Sequence, residues 1–222
     1  MRSFAEILAI AAERKGGMAA ALADMPPVRS ADDLAAIPDD RWLAQMARGI
    51  FQAGISWQVV DAKWPGIEDA FSGFDPGRVQ MIADEALDRL VADPRVIRSG
   101  PKIVAIRDNA AFVTQVAAAS GSFGRRIGDW PVSDFVGLLA WLGREGSRLG
   151  GSTGAYVLRF MGKEGFILSR DVVARLQAEG VIAGAPGSAR SMQAIQAAFD
   201  AWKAESGQSF TAISRVLARS IG

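Results

Sequence analysis

The chain contains neither histidine nor cysteine, which limits the chemistry that its side chains can perform. A Ser-His or Cys-His nucleophile is excluded, and so is a zinc site built from thiolates and imidazoles. A disulfide framework is excluded as well. Acid–base chemistry must therefore come from aspartate, glutamate, lysine or tyrosine side chains.

A glycine-rich segment, Leu142 to Tyr156, is the part of the sequence best suited to contact a phosphate. A glycine turn that leads into a helix exposes backbone N–H groups at the positive end of the helix dipole. The same pattern is also typical of one helix ending and another beginning, and both interpretations stay open. The predicted phosphate contacts are Gly150, Gly151, Ser152 and Thr153, with the basic side chains Arg144, Arg148 and Lys163 beside them.

A second basic group lies earlier in the chain, at Arg95, Arg98 and Lys102. It either contacts phosphates or forms a solvated helix end. The formal net charge is only +1 over 222 residues, so any binding of DNA must depend on local positive charge.

The elements that must position these residues are helices. Half of the residues are hydrophobic (50%), enough for one core or for two small helical lobes. Apolar positions recur at spacings of three and four, and no segment alternates as a strand does, so we predict an all-α fold. No apolar run approaches ~18 residues, so no membrane span is expected. The acidic start of the chain does not indicate a secretory signal, and we expect a cytoplasmic protein.

The longest apolar helix of the first half is predicted from Asp39 to about Lys63. Trp42 and Trp57 would then lie on one helix, four turns apart. Either ring could line a binding pocket, since such pockets are commonly lined by aromatic side chains. A tryptophan in an apolar stripe is more often part of the core, and the spacing favours that role for Trp57.

Two stretches resemble a known family. From Phe51 the chain reads FQAGISW, followed at matching spacing by AF, FDP, IRSGPKI and finally NA, which ends at Ala110. This ordered series resembles the DNA-3-methyladenine glycosylase I family, within the helix-hairpin-helix DNA glycosylase superfamily. The segment from Leu142 to Tyr156 lies where that family carries its hairpin. The resemblance implies an enzyme of DNA base-excision repair.

The resemblance also implies a single two-lobed unit over residues 1–222. We expect one lobe over 30–163, with the hairpin near 142–156, and a second lobe made of 1–29 plus 164–222. The implied partner is double-stranded damaged DNA, and the implied state is a monomer. No metal and no other cofactor is expected, apart from a monovalent cation that such a hairpin can hold through backbone carbonyls.

The sequence departs from the family at two places. The family carries a glutamate that recognises the damaged base, three residues before the Gln-Ala-Gly that begins at Gln52, and here that position is Gly49. The family also holds a zinc ion with cysteine and histidine near its two ends, and this chain has neither residue type. The base pocket is therefore expected around Gly49, Trp57 and Trp42, with Gln52 placed to bind a base edge or to face solvent.

Asp171 looks like the aspartate that lies just beyond the hairpin helix in most other helix-hairpin-helix glycosylases. The resemblance implies that its carboxylate stabilises the positive charge developing on the sugar, or orients a water. Alternatively, Asp171 is a first-turn acid favoured by the helix dipole, with Ser169 as N-cap. No lysine occupies the superfamily's Schiff-base position near Leu149, so lyase activity is not expected.

Together these features predict a monofunctional DNA glycosylase that hydrolyses the N-glycosidic bond of an alkylated purine such as 3-methyladenine. Two alternatives stay open. One is a DNA- or lesion-binding protein of the same fold that has lost catalysis, and the other is a helical interaction protein that no longer binds DNA.

Overall fold

Helices make up the regular structure of this protein. A computed structural model describes residues 1–221, and within them fourteen α-helices and two 3-10 helices occur without any strand, so the all-α prediction is confirmed. The α-helices are α1 (Phe4–Lys15), α2 (Met18–Ala21), α3 (Ala31–Ala35), α4 (Asp39–Gln52), α5 (Trp57–Ala70), α6 (Pro76–Val79), α7 (Asp84–Ala92), α8 (Gly100–Ser120), α9 (Phe123–Asp129), α10 (Phe135–Glu145), α11 (Ser152–Met161), α12 (Arg170–Ala178), α13 (Ala189–Ser206) and α14 (Phe210–Arg219). The 3-10 helices are Ser72–Phe74 and Val132–Asp134. None of the helices in this part of the chain combines the length and apolar character needed to cross a membrane.

Serine side chains begin several of these helices. Ser3 and Ser30 form capping boxes. In each, the serine hydroxyl accepts from the backbone N–H three residues later, and the acidic side chain of that later residue accepts from the serine backbone N–H. Ser169 accepts from the N–H of Val172 at the start of α12. Such caps satisfy N–H groups that have no partner inside the helix, which explains where the helices start.

The chain divides into two compact units. The first, called here the hairpin unit, contains Ser30–Trp130 and Leu139–Met161. The second, called the terminal unit, contains Met1–Arg29, Pro131–Leu138 and the chain from Gly162 onwards.

The segment 131–138 was expected in the same lobe as the hairpin, but it belongs to the terminal unit. The reason is packing. The rings of Phe135 and Phe166 lie 4.9 Å apart between centroids, and the Val136 N–H donates to Oε1 of Gln196 over 3.1 Å. A Cβ on Gly165 would lie 2.2 Å from Phe135, so only glycine permits this approach.

The core of the hairpin unit is built on α4. Its apolar stripe at helical spacing is buried against α8 and α11. Further core residues come from α5, α6 and α8, including Val60, Ile67, Val79, Ile103 and Ile106. These helices hold the ends of α4 and α11, where the candidate site lies.

Candidate nucleic-acid interface

The turn between α10 and α11 closes around Leu149, whose side chain is buried. A Cβ on Gly146 would lie 2.6 Å from the Leu149 Cδ1 atom, and a Cβ on Gly154 would lie 2.4 Å from the Leu149 carbonyl oxygen. The Gly154 N–H donates to that same oxygen over 3.1 Å. Both glycines are therefore required by the close packing of this hairpin.

The tip of the turn is open to solvent. Gly150, Gly151 and Ser152 are exposed and Thr153 is half-buried. Gly151 has a φ of +60°, and a Cβ placed there would meet nothing within 4 Å. Within residues 1–221 the N–H groups of these four residues have no hydrogen-bond acceptor. Unpaired donors at the start of a helix are the arrangement that binds a phosphate, and contact with DNA itself stays a prediction.

The root of the turn is held by Asn109, which is completely buried on α8. Its Nδ2 donates to the Ser147 carbonyl oxygen over 2.8 Å, and the Ser147 N–H donates to its Oδ1 over 3.0 Å. Sequence reasoning gave Asn109 no role at the site. The available signal was a polar residue on a largely apolar helix, followed by Ala110 in the family-like NA pair.

Two cations lie near the hairpin. The Lys102 ammonium donates to the carbonyl oxygens of Phe51 (3.1 Å) and Ala53 (2.6 Å) at the end of α4. Burial, and then the neighbouring charge of Arg148, lower the pKa of Lys102. Arg148 itself is exposed and has a left-handed backbone with a φ of +58°. Two neighbouring positive charges favour an anion beside them.

The other basic side chains proposed for phosphate contact differ in their surroundings. The Arg144 guanidinium is exposed and bonds to the Glu145 carboxylate over 2.7 Å. Arg95 pairs with Asp93 and with Asp69. These carboxylates compensate the two arginines, so each contributes less to a positive surface than Arg148 does.

Lys163 is not a surface residue. Only 6% of it is exposed, and its neighbours Gly162, Gly165 and Phe166 are buried as well. A side chain enclosed in this way cannot reach a phosphate, so the predicted contact is wrong. The charge and position of Lys163 suggested a flank of the hairpin, whereas the segment after α11 is packed inside the terminal unit.

The single helix expected from Asp39 to Lys63 is in fact two helices. Helix α4 ends at Gln52 and α5 begins at Trp57, and between them Gly54 has a left-handed φ of +78°. The apolar spacing continues across the break, which is why periodicity alone missed it. A glycine that follows a helix end is the signal that was present.

The break gives the two tryptophans different environments. Trp42 has no exposed surface, and its ring packs on Phe123 at 5.5 Å between centroids, so it is a core residue and cannot line an open pocket. Trp57 is 44% exposed, so the core position that the spacing favoured is wrong. Its ring meets Tyr156 and Phe160 of α11 edge-on, at 5.7 and 5.8 Å between centroids.

Gly49 faces α11. A Cβ at this position would lie 3.2 Å from Cγ2 of Val157 and 3.4 Å from Cγ2 of Thr153, so even a methyl group would be tight. A side chain at this position would therefore start in contact with helix α11. Gln52, half-buried, ends the same helix, and its contact with a base edge stays a prediction.

Asp171 is the second residue of α12, in the terminal unit. Ser169 caps this helix, since its hydroxyl accepts from the N–H of Val172, and Asp171 lies in the first turn, which is the arrangement that the alternative expected. Asp171 is half-buried and lines a surface pocket together with the basic residues Lys15, Arg215 and Arg219. The chemical role of Asp171 stays a prediction.

The zinc ion that the family holds does not fit this chain. Cysteine and histidine are absent, and residues 1–221 contain no group of three or more acidic side chains placed to hold a metal. In the terminal unit a hydrogen-bonded ion network joins the first residues to α12 and to Ser220 after α14. The Glu179 carboxylate accepts from Arg2 (2.8 Å) and Arg175 (3.1 Å), and Arg175 Nε donates to the Ser220 hydroxyl over 2.7 Å.

Comparison with known proteins gives three findings. Residues 37–132 match the family model described as methyladenine glycosylase. Over 65 residues the chain is 40% identical to DNA-3-methyladenine glycosylase 1 of Escherichia coli (strain K12), and this match covers 29% of the chain and 35% of the relative. The chain thus spans about a third of the length of this curated relative.

The third finding is a likeness of fold to solved structures. A crystal structure of 3-methyladenine DNA glycosylase I superimposes with a TM-score of 0.51 and 22% identity, over 63% of this chain and 84% of the other. The enzyme from Staphylococcus aureus gives a TM-score of 0.50 and 22% identity, over 56% and 77%. The resemblance is therefore confirmed: residues 37–132 carry the sequence pattern of the methyladenine glycosylase family, on an all-helical fold that these solved structures share.

Proposed function

We propose that this chain is a monofunctional DNA glycosylase that releases an alkylated purine, with 3-methyladenine as the first candidate substrate. The observation that carries the proposal is the match of residues 37–132 to methyladenine glycosylases. Gly49, Trp57, Lys102 and Asn109 lie inside the matched segment, whereas the hairpin tip and Asp171 lie beyond it.

Binding of double-stranded damaged DNA is assigned to the hairpin. The exposed N–H groups from Gly150 to Thr153 face outward at the positive end of α11, and Arg148 and Lys102 add positive charge. Contacts of this kind fix the position of the protein on a strand without reading its sequence. We propose a monomeric, cytoplasmic protein whose reaction needs no metal; a monovalent cation on the hairpin carbonyls is a further prediction.

The chemical step is assigned to Asp171. Its carboxylate would take a proton from a water molecule, whose oxygen then bonds to C1′ of the sugar. The electrons of the broken N-glycosidic bond pass to the departing purine, and an alkylated purine accepts them readily because it already carries positive charge. The carboxylate also stabilises the positive sugar in the transition state.

One observation favours a second candidate, a lesion-binding protein without catalysis. Gly49 replaces the glutamate expected there, and Thr153 and Val157 occupy the space beside it. Position 49 therefore supplies no carboxylate that could recognise a base.

The two candidates are separated by measuring base release. Duplex DNA treated with a methylating agent is incubated with the protein, and free purines are identified by mass spectrometry. Release of 3-methyladenine above the rate of a protein-free sample supports the glycosylase. Binding to the same DNA in a gel-shift assay without any base release supports the second candidate, and absence of both removes the DNA function altogether.

A further inference from the structure

Three aromatic side chains form an exposed surface on the hairpin unit, called here the aromatic surface: Trp57 at the start of α5, and Tyr156 and Phe160 on α11. Trp57 is 44% exposed and Phe160 is 52% exposed. Tyr156 is half-buried. The Tyr156 and Phe160 rings lie 6.2 Å apart between centroids, inclined by 25°, and both are steeply inclined to the Trp57 ring, by 89° and 66°. Grouped aromatic rings in contact with water indicate a binding surface.

Helix α11 joins the aromatic surface to the hairpin tip. Ser152, Tyr156 and Phe160 follow one another at four-residue spacing and therefore share a helix face. At 1.5 Å per residue, Tyr156 lies about 6 Å and Phe160 about 12 Å from Ser152 along the axis. These distances correspond to a few nucleotide steps of about 3.4 Å each. A strand with a phosphate on the tip can thus bring an unpaired base onto these rings.

The same helix limits how that base can be read. Thr153 and Val157 form the stripe next to Tyr156 and Phe160, and they close the space beside Gly49. Position 49 is a glycine, so no carboxylate extends from it to hydrogen-bond a base edge. Stacking on an aromatic ring uses the flat π-face of the base, which every base has, and therefore discriminates little between bases.

We propose, resting on the function proposed above, that the aromatic surface holds an unpaired purine by stacking and does not read its hydrogen-bonding edge. Of the two roles expected for Gln52, this proposal takes the one in which the side chain faces solvent. The substrates are then unpaired or weakly paired purine lesions that differ at their edges, rather than 3-methyladenine alone. Tyr156 and Phe160 are the residues that determine this breadth.

The test compares the affinity for three duplexes of matched flanking sequence by fluorescence anisotropy. One is fully paired, one has a single unpaired adenine and one has a single unpaired guanine. We expect both unpaired duplexes to bind more tightly than the paired one, with affinities within about threefold of each other. Loss of one stacked ring is expected to weaken binding by about 5- to 20-fold, so Phe160→Ala should lose this factor on the unpaired duplexes alone. Met81→Ala is the matched control, because Met81 is an exposed apolar residue (77%) of the same unit outside the aromatic surface.

Four other outcomes would each overturn the proposal, and each has a different meaning. A difference of more than tenfold between adenine and guanine means that the edge is read. Equal weakening of all three duplexes by Phe160→Ala means that the ring contacts the strand backbone. Equal affinity of the parent for paired and unpaired DNA removes the stacking surface but leaves the hairpin function intact. Failure to bind any duplex overturns the proposed function together with this inference.

Discussion

Asp171 and Glu85 occupy the same place in two helices, the second residue of α12 and of α7. A carboxylate in the first turn is favoured by the helix dipole whether or not it has a chemical role. What distinguishes Asp171 is its surroundings: it lines a pocket among basic side chains, whereas Glu85 is fully on the surface. Position within the helix could not distinguish a chemical role for Asp171 from a purely structural one, because Glu85 occupies the same position in α7.

Asp171→Asn is expected to abolish base release, since the amide can neither take a proton from water nor balance the charge on the sugar. Affinity for DNA should be equal or higher, because a negative charge is removed. Single-turnover release of 3-methyladenine and a gel shift measure the two effects. Glu85→Gln is the control and should match the parent in both assays. Release by Asp171→Asn at the parent rate would remove Asp171 from the mechanism.

Gly49→Glu is expected to destabilise the hairpin unit without creating a base-recognition site. The new Cβ would approach Val157 and Thr153 at 3.2 and 3.4 Å, and overpacking of this kind costs about 1–3 kcal/mol. The free energy of unfolding in urea measures the loss. Val157→Ala should recover part of it in the double variant, because the closest contact is removed. An unchanged free energy of unfolding in Gly49→Glu would show that α11 can move aside.

At the scale of helices, sequence patterns located most elements but not their interruptions. The all-α class and the turn from Gly150 to Thr153 follow from periodicity and from the glycines. The break between α4 and α5 at Gly54 could not be predicted from periodicity, because the apolar spacing continues across it. The burial of Lys163 and the exposure of Trp57 depend on tertiary packing, which overrides the preference of a residue type for surface or core.

Gly151→Val is expected to weaken DNA binding by roughly tenfold, equally for all sequences, because a phosphate contact made by backbone N–H groups is blocked. Valine at a φ of +60° also strains the backbone by about 1–2 kcal/mol. Gly121→Val is the matched control: Gly121 has a φ of +85°, is exposed and has open space around it. Anisotropy at moderate salt should show lost affinity only for Gly151→Val, and equal affinities would argue against the hairpin.

For the molecule as a whole, a buried ion network in the terminal unit ties the first residues to α12 and to the residue after α14. Burial alone would raise the pKa of Glu179, but hydrogen bonds from the Arg2 backbone and guanidinium and from Arg175 outweigh it, and the pKa falls below its ordinary value of 4.5. The charged form is thus favoured in the folded state. Its contribution to stability is present above pH 4.5 and is lost as the pH falls through the lowered pKa.

Glu179→Gln is expected to lower the free energy of unfolding by about 3 kcal/mol at pH 7, because the buried Arg175 loses its counter-charge. The difference from the parent should shrink as the pH falls below 4.5, where the parent carboxylate becomes protonated. Urea unfolding at a series of pH values measures it. Glu13→Gln, an exposed substitution on α1, serves as the control. A difference that does not vary with pH would assign the loss to packing rather than to charge.

The buried amide of Asn109 has a thermodynamic consequence for the hairpin. It fixes the root of the turn through Ser147 while the tip at Gly150 and Gly151 keeps unpaired N–H groups. In hydrogen–deuterium exchange the Ser147 amide proton should therefore be protected and those of the two glycines should not. Ordering the backbone of this turn costs about 1–2 kcal/mol per residue in conformational entropy. Most of that cost is then incurred when the chain folds, and little of it when a strand binds. Under the proposed function, the hairpin would bind a strand as a preorganised receptor.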